Sequence, residues 1–473
     1  MNTIKDIIQP TIMPKSDLER GCILRLPPEI LHIIFELALR DGERYCRYTT
    51  KSLTLTCHCF LNLAIPFLYK TIKLEVPGEC RRHISLNAAL QKTPSLGQYC
   101  NALWIDIGAS NATPIVYSAV NYIIQSLRSV KSLRISHSGY NVGYRDYERS
   151  DQVLYMWKLI DTVAQHMPQL EELRLGIGRY RIELRDLVES IDIPSLKHLS
   201  LDGILFGGIA PISDTMKYRT ASFTSLTISD YENDHANVLQ QLLSWPKALS
   251  HFCWNNSMYR VELQSAIAQS IQFSLLMHKE TLKSLDLEGI PWGHEAHWSS
   301  TSIYPNLEVL RLSRDCLRGI KGEFRNNLLE LTAADAGSLL LTPKLKVFVL
   351  NYGTDGIGKD GYPKSCWITF GDGDENLLCQ LAKAAIDGKT ELRKILIQYN
   401  PPKDEISDYN DVYPWDRMER IRDDIQPFGL ILEYDVPQIS KREFMDCIEL
   451  KRFYEETTLD DDMVIAQSPD RLW

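Results

Sequence analysis

Three glycines in the second half of the sequence have a spacing that phosphate-binding loops use. They form Gly356-x-Gly358-x-x-Gly361, the pattern of a dinucleotide-binding loop, and they follow a predicted strand. In such a loop the glycines lead into a helix whose N-terminal N–H groups face the phosphates. This chain continues instead to Pro363 and to the strand-like residues 367–370. We therefore interpret the segment as a loop between two elements of a repeated structure.

Histidines and cysteines also occur at spacings that metal ions use. His294-x-x-His297 would place two imidazoles on one face of a helix, but the adjacent Pro291 and Gly293 disfavour a helix and no third ligand is evident. We interpret both histidines as loop residues.

A second candidate zinc site is Cys57-His58-Cys59, with Cys46 and His32 nearby in the sequence. This motif lies in an apolar segment, where cysteine usually packs as a small hydrophobic residue. We therefore predict that it is part of a helix core.

The acidic motif Asp372-x-Asp374-Glu375 is too short for a calcium loop, and we predict that it starts a helix. No Ser/His/Asp or Cys/His arrangement stands out by its spacing. The sequence thus predicts no catalytic, cofactor-binding or metal-binding residue and a protein that is not an enzyme. A metal or nucleotide enzyme built on residues 356–361 or on His294 and His297 is the alternative that these motifs leave open.

Composition limits the class of protein. The chain has 473 residues, of which 44% are hydrophobic, so several domains or a repeat array are expected. A formal net charge of -9 argues against a nucleic-acid partner. No apolar run is long enough to span a membrane, and residues 1–16 lack the apolar core of a signal peptide. Together with 11 scattered cysteines that lack any C-x-x-C pair, this predicts an intracellular protein, cytoplasmic or nuclear, with reduced thiols.

Apolar residues in the pattern apolar-x-x-apolar-x-apolar recur through most of the chain. The eleven copies are Tyr69-Ile72-Leu74, Cys100-Leu103-Ile105, Val130-Leu133-Ile135, Leu170-Leu173-Leu175, Leu196-Leu199-Leu201, Phe223-Leu226-Ile228, Leu249-Phe252-Trp254, Leu282-Leu285-Leu287, Leu307-Leu310-Leu312, Leu345-Phe348-Leu350 and Leu392-Ile395-Ile397. Where they are closest, successive copies start about 25 to 27 residues apart, which resembles the leucine-rich repeat. Helix-like stretches such as Val153 to His166 lie between copies. The sequence therefore predicts an α/β fold over residues 71–400: an irregular leucine-rich-repeat solenoid with a curved parallel sheet and outer helices.

The C-terminal region has a different pattern. Residues 401–456 contain a predicted helix from Trp415 to Ile425 and a predicted strand from Phe428 to Tyr434. We interpret them as a unit that caps the solenoid. Residues 457–473 are expected to form an acidic, flexible tail.

The N-terminal region contains more apolar surface than its size can bury. Pro27 and Pro28 suit the start of a helix, and the helix that follows is apolar around nearly its whole circumference. A second apolar stretch runs from Leu53 to Leu68. Because a segment of this size has a marginal core of its own, part of this surface is expected to face a partner.

Both apolar stretches match one family in order. The first reads Leu26-Pro27-x-Glu29-Ile30-Leu31-x-x-Ile34-Phe35, and the second reads Leu55-x-Cys57-x-x-Phe60-x-x-Leu63-Ala64-x-x-x-Leu68-Tyr69. Residues 22–70 therefore resemble the F-box, an all-helical module, after a flexible tail of residues 1–21. The linker from Arg40 to Ser52 is longer and more basic than is usual in that family.

The resemblance implies a function without an active site. An F-box binds the Skp-family adaptor of a cullin-based ubiquitin ligase (an SCF ligase), and the rest of the chain holds an unknown target protein for ubiquitination. The resemblance assigns adaptor contacts to apolar side chains of both stretches: Leu26, Pro27, Ile30, Leu31, Ile34, Phe35, Leu55, Cys57, Phe60 and Leu63. The alternative is a scaffold that acts with the adaptor outside ubiquitin transfer.

Residues between the buried leucines of a strand point away from the core, so they are the candidates for target binding. These candidates are mixed in charge and mostly polar: Arg134, Arg174, Ser200, Thr227, Asp286 and Arg311. Such a mixture favours recognition of a protein surface over a uniformly charged ligand.

Overall fold

The structure is a computed structural model that describes fifteen stretches of the chain. They are residues 26–41, 44–45, 47–76, 80–108, 114–137, 151–176, 184–203, 218–231, 236–255, 261–288, 301–317, 332–352, 370–388, 390–399 and 412–450. The glycine motif at 356–361, His294, His297, Cys46 and the two predicted tails lie outside these stretches.

A small helical module forms the N-terminal part of the described chain. It consists of α1 (Pro28–Leu39), a two-residue hairpin of β1 (Arg40–Asp41) and β2 (Arg44–Tyr45), α2 (Arg47–Thr54) and α3 (His58–Lys70). As predicted, α1 begins at Pro28, where a missing N–H is not needed for the helical ladder. The prediction of a linker from Arg40 to Ser52 is wrong in part, because α2 begins within this segment and packs on α3.

Twelve strands form one parallel sheet in which every strand pairs with its neighbours in chain order. They are β3 (Thr71–Val76), β4 (Ala102–Ile107), β5 (Ser132–His137), β6 (Glu172–Gly176), β7 (His198–Asp202), β8 (Ser225–Ser229), β9 (His251–Asn255), β10 (Ser284–Glu288), β11 (Val309–Ser313), β12 (Val347–Asn351), β13 (Lys394–Gln398) and β14 (Ile431–Tyr434). This is the strand order of a solenoid, because each turn of the chain adds one strand beside the last.

Helices cover one side of this sheet between successive strands. They are α4 (Cys80–Lys92), α5 (Pro114–Ser126), α6 (Asp151–His166), α7 (Leu184–Ser190), α8 (Ala236–Ser244), α9 (Val261–Leu275), α10 (Arg314–Leu317), α11 (Ala333–Leu340), α12 (Asp372–Asp387) and α13 (Pro414–Ile425). Residues 441–450 are helical as well. The predicted helix start at Asp372 is confirmed, and Asp374 caps it by accepting a hydrogen bond from Gly371 N–H at 2.9 Å.

The repeated apolar pattern accounts for the core. The last two apolar residues of each of the eleven copies lie on one strand from β3 to β13, and both are buried. Leu133 of β5 is in register with Leu173 of β6, which is in register with Leu199 of β7. These side chains join helix residues such as Ile123 and Leu159 in one continuous core.

The sheet extends beyond the predicted boundary at residue 400. β14 pairs in parallel with β13, so the predicted capping unit of residues 401–456 adds the last strand to the sheet. Gly429 stands where the other copies have an apolar first residue, three positions before Leu432, and its φ of 80° is one that glycine adopts readily. The predicted strand from Phe428 to Tyr434 is confirmed as β14, and it stands outside the eleven copies of the apolar pattern because the chain enters it through a glycine turn.

Candidate functional site

The helical module exposes an apolar stripe along α1. Ile30, Ile33 and Leu37 are 43%, 52% and 67% exposed, and Leu26 just before the helix is also exposed. At about 100° per residue these positions lie on one side of the helix. We call Ile30, Ile33 and Leu37 the apolar stripe. Ile33 and Leu37 were not among the predicted contacts, although their spacing of three and seven residues from Ile30 could have identified them.

The opposite side of α1 forms the core of the module. Leu31 and Phe35 are 3% exposed, and Phe35 packs with Leu39, Ala64 and Phe67. The rings of Phe35 and Phe60 meet edge to face with centroids 5.0 Å apart. Although Leu31 and Phe35 were predicted as partner contacts, they present almost no surface to a partner. Their role in this structure is to hold the apolar stripe outward.

The other predicted contact residues divide between surface and interior. Pro27 and Cys57 are exposed and Leu55 is 79% exposed, whereas Ile34, Phe60 and Leu63 are half-buried. Phe60 and Leu63 pack against the module core.

The motif Cys57-His58-Cys59 is exposed, so the prediction that it lies in a core is wrong. The reason is that α3 starts at His58. Cys57 precedes it as the N-cap, and its Sγ accepts a hydrogen bond from Phe60 N–H at 3.5 Å.

The module joins the sheet without a linker. α3 ends at Lys70 and β3 starts at Thr71, while Asn101 N–H donates to Lys70 O at 3.0 Å. Tyr69 at the end of α3 packs against the core of the solenoid. The continuous backbone and this side-chain contact fix the direction of α3 relative to the sheet.

The side of the sheet away from the helices carries the predicted target-binding residues. All six lie in one row of register partners across neighbouring strands, which we call the middle row. In strand order it reads Lys73, Trp104, Arg134, Arg174, Ser200, Thr227, Cys253, Asp286, Arg311, Val349, Leu396 and Glu433. Lys73 and Trp104 were not among the predicted residues, although the same spacing in the first two copies of the apolar pattern would have identified them.

At the centre of the middle row, polar side chains satisfy one another. Arg311 Nη1 lies 3.5 Å from Asp286 Oδ2, and burial raises the pKa of Asp286 although Arg311 and Cys253 oppose the rise. Burial and the neighbouring Asp286 carboxylate raise the pKa of the Cys253 thiol well above its ordinary value. Because the thiolate is the nucleophilic form, Cys253 is unsuited to nucleophilic catalysis.

Toward its N-terminal end the middle row is cationic. Lys73 Nζ lies 4.0 Å from the centroid of the half-buried Trp104 ring, a cation–π contact. Arg134 is exposed, and 58% of the Arg174 side-chain surface is exposed. We call Lys73, Trp104, Arg134 and Arg174 the cationic segment of the middle row.

The described part of the chain contains no group of three or more His, Cys, Asp or Glu residues that could hold a metal ion. None of the helices within these stretches is long and apolar enough to cross a membrane.

Comparisons with known proteins add little to this geometry. No family model matches the sequence, and no curated protein matches it. Among solved structures, the chain is similar to a chain of the crystal structure of a TLR13–ssRNA13 complex, with 12% identity and a TM-score of 0.28 over 76% of the present chain. The match covers 36% of that chain's length. Our assignment of a leucine-rich-repeat-like solenoid therefore rests on the strand order and on the spacing of the buried residues.

Proposed function

We propose that this protein is the target-recognition subunit of an SCF-type ubiquitin ligase. In this proposal the apolar stripe of the helical module binds a Skp-family adaptor, and through it a cullin, while the solenoid binds the target protein. The contribution of the chain is proximity: it raises the local concentration of a target lysine near a ubiquitin-charged enzyme carried by another subunit. The proposal places the protein in the cytoplasm or nucleus.

The observation that carries the proposal is the two-sided apolar character of α1. One side is buried in the module, and the other holds Ile30, Ile33 and Leu37 in solvent within a segment whose sequence resembles the F-box. A single exposed apolar side chain needs no explanation. Three such side chains on one helical stripe, with Leu26 and Leu55 also exposed in the same module, are typical of an interface. Helices that dock in this way present anchors at such spacing.

Replacing Ile33 and Leu37 together by Asp should abolish adaptor binding. Each substitution would place a charge in a desolvated interface, and we expect the dissociation constant to rise by about 100-fold or more. The measurement is co-purification and titration of the adaptor with the full chain. Ile33 and Leu37 suit this test because both are exposed, whereas Ile34 is half-buried and its replacement would also disturb the module core.

The matched control is Ile431→Asp at the other end of the sheet, where the side chain is 56% exposed. It should bind the adaptor as the unmodified chain does. Adaptor binding that survives the double substitution in a folded protein would refute the proposed docking site. Adaptor binding without cullin in the same purification would favour the scaffold function instead.

A further inference from the structure

Two arginines lie side by side on neighbouring strands near the N-terminal end of the sheet. Arg134 of β5 and Arg174 of β6 are register partners, so their Cα atoms lie about 4.8 Å apart, the spacing of adjacent strands. Like charges at such positions repel each other and destabilise a sheet. Both side chains are nonetheless on the exposed side of the sheet, where neutral residues would avoid the repulsion.

The surrounding residues relieve this repulsion only for Arg174. Its Nε donates to Glu172 Oε1 at 2.5 Å, and Glu172 Oε2 in turn accepts a hydrogen bond from Ser132 Oγ at 2.7 Å. Burial acts to raise the pKa of Glu172, but the bonds from Ser132 and Arg174 outweigh it and lower that pKa. Glu172 is therefore a fixed anion that already has two partners.

Arg134 has no such partner among the residues that the structure describes. Within the described stretches it makes no hydrogen bond or ion pair. The next outward positions on its own strand and on β6 are Ser136 and Gly176, which carry no charge. The carboxylates at that level are on the flanking strands, and Asp106 there accepts a hydrogen bond from Ser136 Oγ at 3.4 Å.

Trp104 completes the surroundings of Arg134 on the other side. It is the register partner of Arg134 on β4, and the Lys73 ammonium lies over its ring. An anion held by Arg134 and Arg174 would thus lie beside an aromatic ring that can pack against the neighbouring residues of a bound chain. An arginine pair can bind a carboxylate or a phosphate through parallel N–H bonds.

We propose that the cationic segment binds an anionic side chain, a carboxylate or a phosphate, of an extended segment of the target protein. This inference rests on the proposed function, since it names the chemistry of the target. The anion removes the repulsion between Arg134 and Arg174, and Trp104 contacts the residues next to it.

The test uses the immobilised full chain and three degenerate nonapeptide pools with Ser, Glu or phosphoserine fixed at the centre. We expect at least one anionic pool to be retained over the Ser pool. In Arg134→Gln that preference should fall about 10-fold or more, as expected for loss of a charge-assisted hydrogen bond. Arg134→Lys keeps the charge but loses the bidentate geometry. Its preference for the anionic pools should therefore lie between that of the unmodified chain and that of Arg134→Gln. Retention of both anionic pools shows that a carboxylate suffices, and retention of phosphoserine alone shows that a phosphate is required.

The matched control is Arg420→Gln in α13, outside the middle row, where an exposed arginine already pairs with Glu375. It should retain the anionic pools as the unmodified chain does. Equal retention of all three pools, or an anionic preference that persists in Arg134→Gln, would overturn the inference. Because Arg134 is exposed and its loss removes a repulsion, the urea midpoint of Arg134→Gln should be unchanged or higher. The pools contain no adaptor, so a failure here is distinct from a failure of the α1 experiment.

Discussion

A buried histidine shows how single residues connect successive repeats. His278, which follows α9, is 1% exposed, and its Nδ1 accepts a hydrogen bond from Leu249 N–H at 3.2 Å. The proton of the neutral ring is therefore on Nε2, which donates to Leu243 O at 2.9 Å. Both ring nitrogens are satisfied only while the imidazole is neutral, and burial lowers the pKa of His278.

Stability should consequently decrease as the pH falls below about 6.5, the ordinary pKa of histidine. In that range the unfolded chain binds protons that the folded chain does not, because burial also lowers the pKa values of His83 and His251. His278→Gln removes one of the three groups. Between pH 7.5 and 5.5 the free energy of unfolding should therefore decrease less in His278→Gln than in the unmodified chain. We expect the difference between the two decreases to be up to about 1.4 kcal/mol in urea titrations.

Urea titrations between pH 8.5 and 7.5 provide the control. There the three histidines are neutral in both states, so the unmodified chain and His278→Gln should have parallel pH dependences. Parallel dependences below pH 6.5 as well would contradict the assignment of a neutral His278.

A buried ion pair ties together elements that are far apart in sequence. Arg314 of α10 donates from Nε to Asp374 Oδ1 at 2.8 Å and from Nη2 to Asp374 Oδ2 at 3.1 Å. The two side chains are 5% and 1% exposed. The same carboxylate accepts the bond from Gly371 N–H that caps α12. One side chain thus starts a helix and fixes its position against the previous repeat.

Replacing Arg314 by Met should destabilise the protein by about 3 to 5 kcal/mol, because it leaves the Asp374 carboxylate buried without a counter-charge. The measurement is urea or thermal unfolding. The double variant Arg314→Met with Asp374→Asn should recover part of the loss, since no buried charge is then left unpaired.

The control is Arg311→Met, which breaks the more exposed pair with Asp286 and should cost about 1 kcal/mol or less. Equal losses for the two single variants would show that burial does not set the strength of the Arg314 pair.

At the scale of elements, the sequence pattern predicts those whose side chains repeat and misses those that depend on tertiary contacts. Eleven strands could be predicted because each carries two buried apolar residues two positions apart. α2 could not, because the β-branched Thr49 and Thr50 weaken a helix signal, and its packing on α3 provides the compensating contacts.

The candidate site was predictable to a similar degree. Alternation along each strand identifies Arg134 and Arg174 as outward residues, but the sequence does not show that they face each other, since register depends on how the strands stack. In α1 the sequence indicates too much apolar surface, whereas only the packing of Phe35 on Phe60 shows which side is exposed.

Across the whole molecule, stability is local because each repeat contacts mainly its neighbours. Around β13 and β14 an aromatic group closes the array, with the rings of Tyr399 and Trp415 5.2 Å apart and Trp415 Nε1 donating to Asp435 O at 3.0 Å. Disruption at this end of the sheet should not reach the helical module at the other end.

Trp415→Ala should therefore unfold one end of the protein selectively. Removing this buried ring is expected to cost about 3 to 5 kcal/mol, felt by the strands it covers. Hydrogen exchange should accelerate in β13 and β14 while β3 to β6 keep their protection.

Trp415→Phe is the control, because it retains most of the ring contacts and should change exchange much less. Uniform acceleration across the sheet in Trp415→Ala would show that the twelve strands unfold as one unit.

Because Thr71 in β3 directly follows Lys70 in α3, the position of a strand in the sheet sets its distance from the strand that carries the helical module. Counted from β3, the twelve strands are separated by eleven intervals of about 4.8 Å, so the far edge lies about 50 Å away along the sheet. A target anchored at β5 and β6 would be held about 10 to 15 Å from the strand that carries the module. In the proposed function, the strand to which a target binds would thereby determine which of its lysines come within range of a ubiquitin donor.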